Sequence, residues 1–425
     1  MRNVVNARDF GFLPENDGAE NSKALNEAVK NGGEIHIDSE GIYEVSDIVI
    51  LKSNTTLIFG DNVSIKRIHS KSGDSYLFIN EGAYSKEYDE NIKIHGLKLI
   101  CNGIFDMPDN EFYIPGMKGH LSFFYVKNLE ITDFEVHDLP APGFAIHVCT
   151  FENIKIENCV IEGKKDGVHL GRGKDFVIRN CSFKTFDDPI ALNAHDYSTS
   201  NPQLGWIENG IIENCTDLDD VSTAGYFCRI LAGSWCDWQE NMIIRNSDTV
   251  VSNGRVYRAL MSPDGTEYVS KTAPTHLEGV KTVDGIKWVM VQKDVIYNCG
   301  CRNIHFKDIY LKKKRAVAFS VHFDDDNRSR SYYPDSSAPV QTDISFENIN
   351  IENKIPFLIN AVTPLDRIKL KSTNLKDSVI ALDTIRSASP SYPVANFEFE
   401  NIGFNSFISD LIVCKNLRKA NFMIK

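Results

Sequence analysis

Apolar and polar residues alternate along most of this chain in short runs, and the runs close on Asn or Asp. The phrase returns as NIKIHG (91–96), NLEITD (128–133), NIKIEN (153–158), DFVIRN (175–180), NGIIEN (209–214), NMIIRN (241–246), NIHFKD (303–308) and DISFEN (343–348). Two of these units end 22 residues apart, at 158 and 180, and wider intervals read as the same unit carrying a loop. Strict alternation over a few residues is strand periodicity. No helical pattern of 10–15 residues separates the units, which disfavours a doubly wound α/β fold. A repeat near 22 residues built of short strands predicts an all-β fold, a single-stranded right-handed parallel β-helix with one coil per repeat.

In that fold Val, Ile, Leu and Phe point inward and stack coil on coil. Asn158, Asn180 and Asn214 fall in line at one turn, where an amide bonds the backbone of its own and neighbouring coils. Cys159, Cys181 and Cys215 follow them and read as small reduced core fillers, because no His recurs with them as a metal ligand would. Residues 21–31 carry a helical pattern with Ala24, Leu25 and Val29 on one side and Asn21 or Ser22 as N-cap, which predicts a short N-terminal capping helix. The expected organisation is one domain over 1–425: cap and first coils to 90, central coils 91–248 with the site, inserted loops or hairpins 249–300, and C-terminal coils 301–425. The polar stretch 323–341 is expected to be a loop, with Asp324, Asp325 and Asp326 a solvated turn rather than a calcium site.

Composition narrows the partners. The 425 residues are 42% hydrophobic and 24% charged, a chain able to bury a core. Acidic residues outnumber basic ones 58 to 46, so nucleic acid is not an expected partner. No run of 18 apolar residues predicts a membrane span. The start, MRNVVNARDFGF, lacks the apolar run of a secretory signal. The expectation is a cytoplasmic protein if Met1 is native, and a secreted or periplasmic one if a leader was removed. Oligomeric state leaves no mark in the pattern.

The chemistry comes from laying coils in register. Ile146 and Val148 match Val168 and Leu170, then Ile190 and Leu192, all inward. Alternation then turns His147, His169 and Ala191 outward in one column. Asp166 and Asp188 share the same 22-residue step, with Asp187 beside the latter. Strands about 4.7–4.9 Å apart crowd these three carboxylates together, and like charges so close leave one protonated and another ionised. That is the division glycoside cleavage needs, an acid for the leaving oxygen and a base for water. Arg172 at the corner and Asn193 and His195 at the end of the double-Asp coil join the candidate binding residues. Aromatic rings stack on sugar faces, so Trp206 and Trp235 are the preferred platform, ahead of Tyr197, Tyr226 and Trp238.

Several segments carry a resemblance. NARDFGFLPENDGAENSKALNEAV, GGEIHI and LKSNTTLIF look like the opening of the pectin-lyase-like β-helix superfamily. KKDGVHL (164–170) resembles the Asn-Thr-Asp-Gly motif of glycoside hydrolase family 28, the polygalacturonase family, and FDDPIALNA (186–194) resembles its Gly-Asp-Asp motif. PGFAIHVCTFENIKIEN (142–158) is similar to the preceding coil, and the likeness covers roughly 3–70 and 91–235. The resemblance implies an inverting glycoside hydrolase with no cofactor and no metal. Asp187 would be the general acid, and Asp166 and Asp188 would hold and deprotonate water. The carboxylates would then lie about 6.5–9.5 Å apart, with room for that water. Arg229 in CRIL (228–231) resembles the Arg of the Arg-Ile-Lys motif. Two departures stand out: the Gly-His-Gly motif is absent, leaving His195 or His169 in its place, and Leu231 replaces the Lys that would meet a uronate. The implied partner is a carbohydrate, neutral or otherwise decorated as readily as polygalacturonate. Two alternatives use the same scaffold: a polysaccharide lyase with calcium on the Asp cluster, and a non-catalytic glycan binder.

Overall fold

The computed structural model describes residues 4–69, 76–105, 112–382, 394–403, 412–414 and 422–425. Its main sheet is a parallel ladder in which each repeat pairs with the next, as a β-helix requires. The coils that position the site are β1 (Gly119–Thr132), β2 (Phe144–Glu157), β3 (Val168–Leu170), β4 (Gly173–Arg179), β5 (Ile190–Asn193), β6 (Ile207–Asp217), β7 (Cys228–Leu231), β8 (Cys301–Leu311), β9 (Val317–His322) and β10 (Gln341–Ile351). One inward row runs Ile131, Ile156, Ile178, Ile212, Phe306 and Phe346, each in register with the next. All six are buried, so burial of the alternating apolar positions is what holds the coils together.

The Asn and Asp that close each phrase have a backbone reason to be there. Asp133, Asn158, Asn180, Asn214, Asp308 and Asn348 all adopt φ between 50° and 55°. The residues that open the phrases do the same, with Asn128, Asn153, Asp175, Asn209, Asn303 and Asp343 at φ 53–61°. Asn and Asp tolerate this left-handed conformation better than other side chains. The amides also bond along the stack: Asn180 donates to Asn158 at 3.1 Å and Asn214 to Asn180 at 2.8 Å. Asn180→Ala is therefore expected to lower stability by about 1–2 kcal/mol, since it loses the ladder bonds and strains φ. Asn180→Gly keeps φ relaxed and should cost less, a difference readable in urea melts. Cys159, Cys181 and Cys215 are buried free thiols beside this ladder, as expected.

Three expectations change. The capping helix covers Gly18–Val29, and its N-cap is Asp17, which accepts from the Ala19 and Glu20 N–H groups at 3.0 and 2.8 Å. Asn21 is instead buried and accepts from the Leu13 N–H. NMIIRN is no coil of the helix: Met242–Ile244 pairs antiparallel with Tyr268–Ser270. Alternation marks a strand but not its partner. The insertion therefore begins before residue 249, near Gly233, and holds an antiparallel sheet around Arg255–Ala259 and Ile286–Gln292 with its own core of Tyr257, Trp288 and Met242. Asp324 is buried rather than solvated, because it meets Arg229. Parts of the expected central coils (106–111) and of the C-terminal coils (383–393, 404–411 and 415–421) lie outside the described residues.

Candidate active site

Consecutive turns lead into β3, β5 and β7, and the register places their polar residues side by side. His169 pairs with Ala191 and Ala191 with Arg229, so Asp166, Asp188 and Tyr226 stand at equivalent entries to their strands. Gly225 has φ 72°, and a Cβ there would lie 2.6 Å from the Asp187 carbonyl carbon. Only glycine allows the two turns to approach so closely. From below, Arg315 donates to the carbonyls of Asp187 and Ala224 and pairs with Asp217 at 2.6 Å, both charges fully buried. Lys313, also buried, donates to the Thr185 and Phe186 carbonyls. Two cations thus clamp the backbone of the double-Asp turn.

The acidic trio comes together. Carboxylate oxygens of Asp166, Asp187 and Asp188 lie within 4.8 Å of one another. Lys165 stands between two of the groups. Its ammonium bonds Asp187 and lies 3.4 Å from an Asp166 oxygen. Asp166 and Asp188 are 3% exposed, and only Asp187 is substantially open, its side chain 35% exposed. Asp188 accepts from the Tyr226 N–H at 2.7 Å.

These surroundings divide the charges. Burial, then Asp187 and Asp166, push the Asp188 carboxyl well above the usual carboxylate range. Burial would also raise Asp166, but Lys165, the His169 hydrogen bond and Arg229 outweigh it and hold its carboxyl below the usual range. Asp188 therefore favours folding below the ordinary carboxylate value and loses that contribution as pH rises through its own. Asp188→Asn is expected to raise the melting temperature at pH 7 by about 2 °C or more, with the gain gone below about pH 4. Thermal melts at the two pH values test this.

A pocket of about 400 Å³ opens over Asp166, walled by Lys118, Phe144, Lys165, Tyr197, Arg229 and Arg328. The segment 196–200 forms another wall, and Asn246, Met261 and Pro263 of the insertion complete it. A larger cleft of about 550 Å³ between His137, Glu162, Lys184 and Asp220 holds none of the trio.

The other candidates divide. His169 lies between two carboxylates, with Nδ1 3.0 Å from Asp166 and Nε2 3.4 Å from Asp196, and its ring stacks on Phe144 at 4.1 Å. His147 accepts from the Lys118 N–H at 3.0 Å, and burial, His169 and Lys118 depress its pKa strongly. Both histidines alternate to the outer face of the coil wall as expected, but they are fully buried there, because Phe144 and Asp196 cover the column. Asn193 is buried and donates to Asp196 at 2.8 Å, holding that carboxylate toward His169. Arg229 lines the pocket between Asp324 and Asp196, and Leu231, two residues on, is buried. His195 turns away to Thr249 at 3.2 Å, and burial and Arg258 lower its pKa to about 3, so it takes no histidine's place beside the trio. Trp235 is core, its Nε1–H donating to the Ile296 carbonyl at 2.7 Å. Arg172, paired with Asp294, and Trp206, under the Arg302 guanidinium, line a separate cleft of about 290 Å³. These corrections share a cause: coil register fixes the strands, while the insertion and loops decide what is covered.

Sequence reasoning missed Lys118, Lys165, Asp196, Asp324 and Arg328. Lys165 stood inside the KKDGVHL motif and Asp324 inside the acidic run. Nothing in the pattern announced the long-range contacts of the others.

The trio's oxygens also fall within reach of a metal ion. Calcium does not fit the arrangement as it stands, because the Lys165 ammonium already occupies the place between Asp166 and Asp187.

No protein-family model matches the sequence. Over 115 residues the chain is 34% identical to a polygalacturonase of Brassica napus, a match covering 24% of this chain and 28% of that protein. A family 28 exopolygalacturonase of Yersinia enterocolitica superposes with a TM-score of 0.51 at 12% identity, over 100% of this chain and 78% of that one. The A-module of a mannuronan C-5 epimerase of Azotobacter vinelandii gives 0.51 at 12%, over 99% of this chain and 95% of that one. The chain has the pectin-lyase-like β-helix fold, with a family 28 exopolygalacturonase among its structural neighbours and a polygalacturonase as a distant, partial relative.

Proposed function

We propose that this protein is a glycoside hydrolase that inverts the anomeric centre with the Asp166, Asp187 and Asp188 cluster. The observation that carries the reading is three carboxylates within 4.8 Å, one disposed to keep its proton and one to lose it, beside a pocket. Asp188 stores the proton. Asp187, the exposed member, delivers it to the leaving glycosidic oxygen as the bond to the anomeric carbon breaks. Asp166, on the pocket wall, takes a proton from the attacking water. The 4.8 Å is measured between single oxygens, which approach more closely than the carboxyl groups that carry them, so it does not by itself make Asp166 a nucleophile. Arg229 and His169 orient the groups around it.

A lyase with calcium on the cluster is disfavoured by Lys165. A site kept only for binding has no use for a carboxylate held at a cost to stability.

The pocket's walls favour action at a chain end. Asn246 donates to the Arg328 carbonyl at 2.7 Å and Arg245 pairs with Asp325 at 2.9 Å, fastening the insertion to the 323–331 loop. Arg258, buried, donates to the Asp196 and Ser198 carbonyls and fixes the opposite wall. Incubation with neutral and acidic polysaccharides should release mono- or disaccharides from the first time points. A ladder of intermediate oligomers would contradict end-on action, and no reducing-sugar release from any glycan would contradict hydrolysis.

A further inference from the structure

The residue before Asp166 has no counterpart in the motif it belongs to. Where the Asn-Thr-Asp-Gly pattern has Thr, this chain has Lys165, and its ammonium is committed to the site. It bonds Asp187 and faces Asp166 at 3.4 Å, while its side chain is only 25% exposed and runs beside the Phe144 ring, 5.9 Å from its centroid. Among the described residues no ammonium bonds Asp188, which accepts from the Tyr226 N–H.

We propose that Lys165 is a positioning residue that confines the cluster's proton to the Asp187–Asp188 pair and keeps Asp166 free to accept one from water. The inference rests on reading the trio as a hydrolytic centre. The physical argument is one of placement. Three carboxylates this close hold fewer than three negative charges, and a single fixed ammonium decides which of them stay ionised. Lys165 faces Asp166 and Asp187, so the proton rests on Asp188 and passes to Asp187 only as it is delivered. Arg229 acts on both Asp166 and Asp188, so it does not discriminate between them. His169 adds a hydrogen bond to Asp166 alone. Lys118 and Asp196 stand on the same pocket wall with opposite charges, and Arg315 and Lys313 reach the double-Asp turn through backbone carbonyls. Lys165 is the cation whose removal leaves the pocket otherwise built as before.

The ammonium also accounts for the closeness of Asp166 and Asp187. A cation between two carboxylates draws them together, whereas a bare pair would separate or share a proton.

The test uses the full chain as wild type, Lys165→Met and Lys165→Arg. On a glycan that the wild type cleaves, Lys165→Met should move the acidic limb of the kcat/KM profile upward by about one pH unit or more, about a tenfold loss on that side. Lys165→Arg should restore the limb. In parallel, carbon-13 NMR of labelled aspartates, with Asp166 assigned by Asp166→Asn, should show its carboxyl titrating at higher pH in Lys165→Met without any glycan present. A limb and an Asp166 titration that stay in place would overturn the proposal, whatever happens to KM or melting temperature. A raised KM alone would make Lys165 a substrate contact. If the wild type cleaves nothing, the hydrolase reading fails while the NMR titration still decides the part played by Lys165.

Discussion

Replacing Asp187 by Asn should reduce kcat by about 10²–10⁴-fold, the usual contribution of a positioned acid or base. The chain should melt as the wild type does. Asp187 is the exposed member of the trio, so an isosteric amide there disturbs no buried bond network, although it weakens the contact with Lys165. The loss should appear in kcat more than in KM, because the proton moves only in the transition state. Initial rates of reducing-sugar release, with circular dichroism to check folding, read both quantities. Activity within a few fold of wild type would remove Asp187 from the mechanism.

The second large effect concerns stability. Arg315→Met strips the partner from Asp217, and both side chains are fully buried. A buried charge left alone costs about 3–5 kcal/mol, measurable as a lower urea midpoint. The double variant Arg315→Met, Asp217→Leu removes both charges and should recover most of that loss. Recovery of stability should not bring back full activity, since the Asp187 and Ala224 carbonyls would still lack the guanidinium that holds the turn. Full rescue of both would mean the clamp serves packing alone.

Much of the architecture could be read directly from the order of residues. The inward row through Ile131, Ile156, Ile178 and Ile212, the stacked amides of Asn158, Asn180 and Asn214, and the meeting of Asp166 with Asp187 and Asp188 all follow from a constant step between neighbouring coils. Period-two alternation fixes which side chains share a face, and a parallel ladder repeats the choice. What failed was everything set by contacts across long separations. Alternation put His147 and His169 on the outer face, but it carries no information on what folds over that face. Phe144 and Asp196 close over His169, and Lys118 meets His147. Trp235 likewise lost its place in the groove to a bond with Ile296, 61 residues away. Lys165 was adjacent to Asp166 in the chain, yet its role depends on where the Asp187 side chain points, which spacing does not encode.

The most direct measurement is proton NMR of the sugar product in the first minutes of cleavage, before mutarotation. A water deprotonated by Asp166 attacks the face opposite the leaving oxygen, so the first anomer formed should have the inverted configuration. A retained anomer would mean a carboxylate had bonded to the sugar, and an unsaturated product would mean elimination; either contradicts the account.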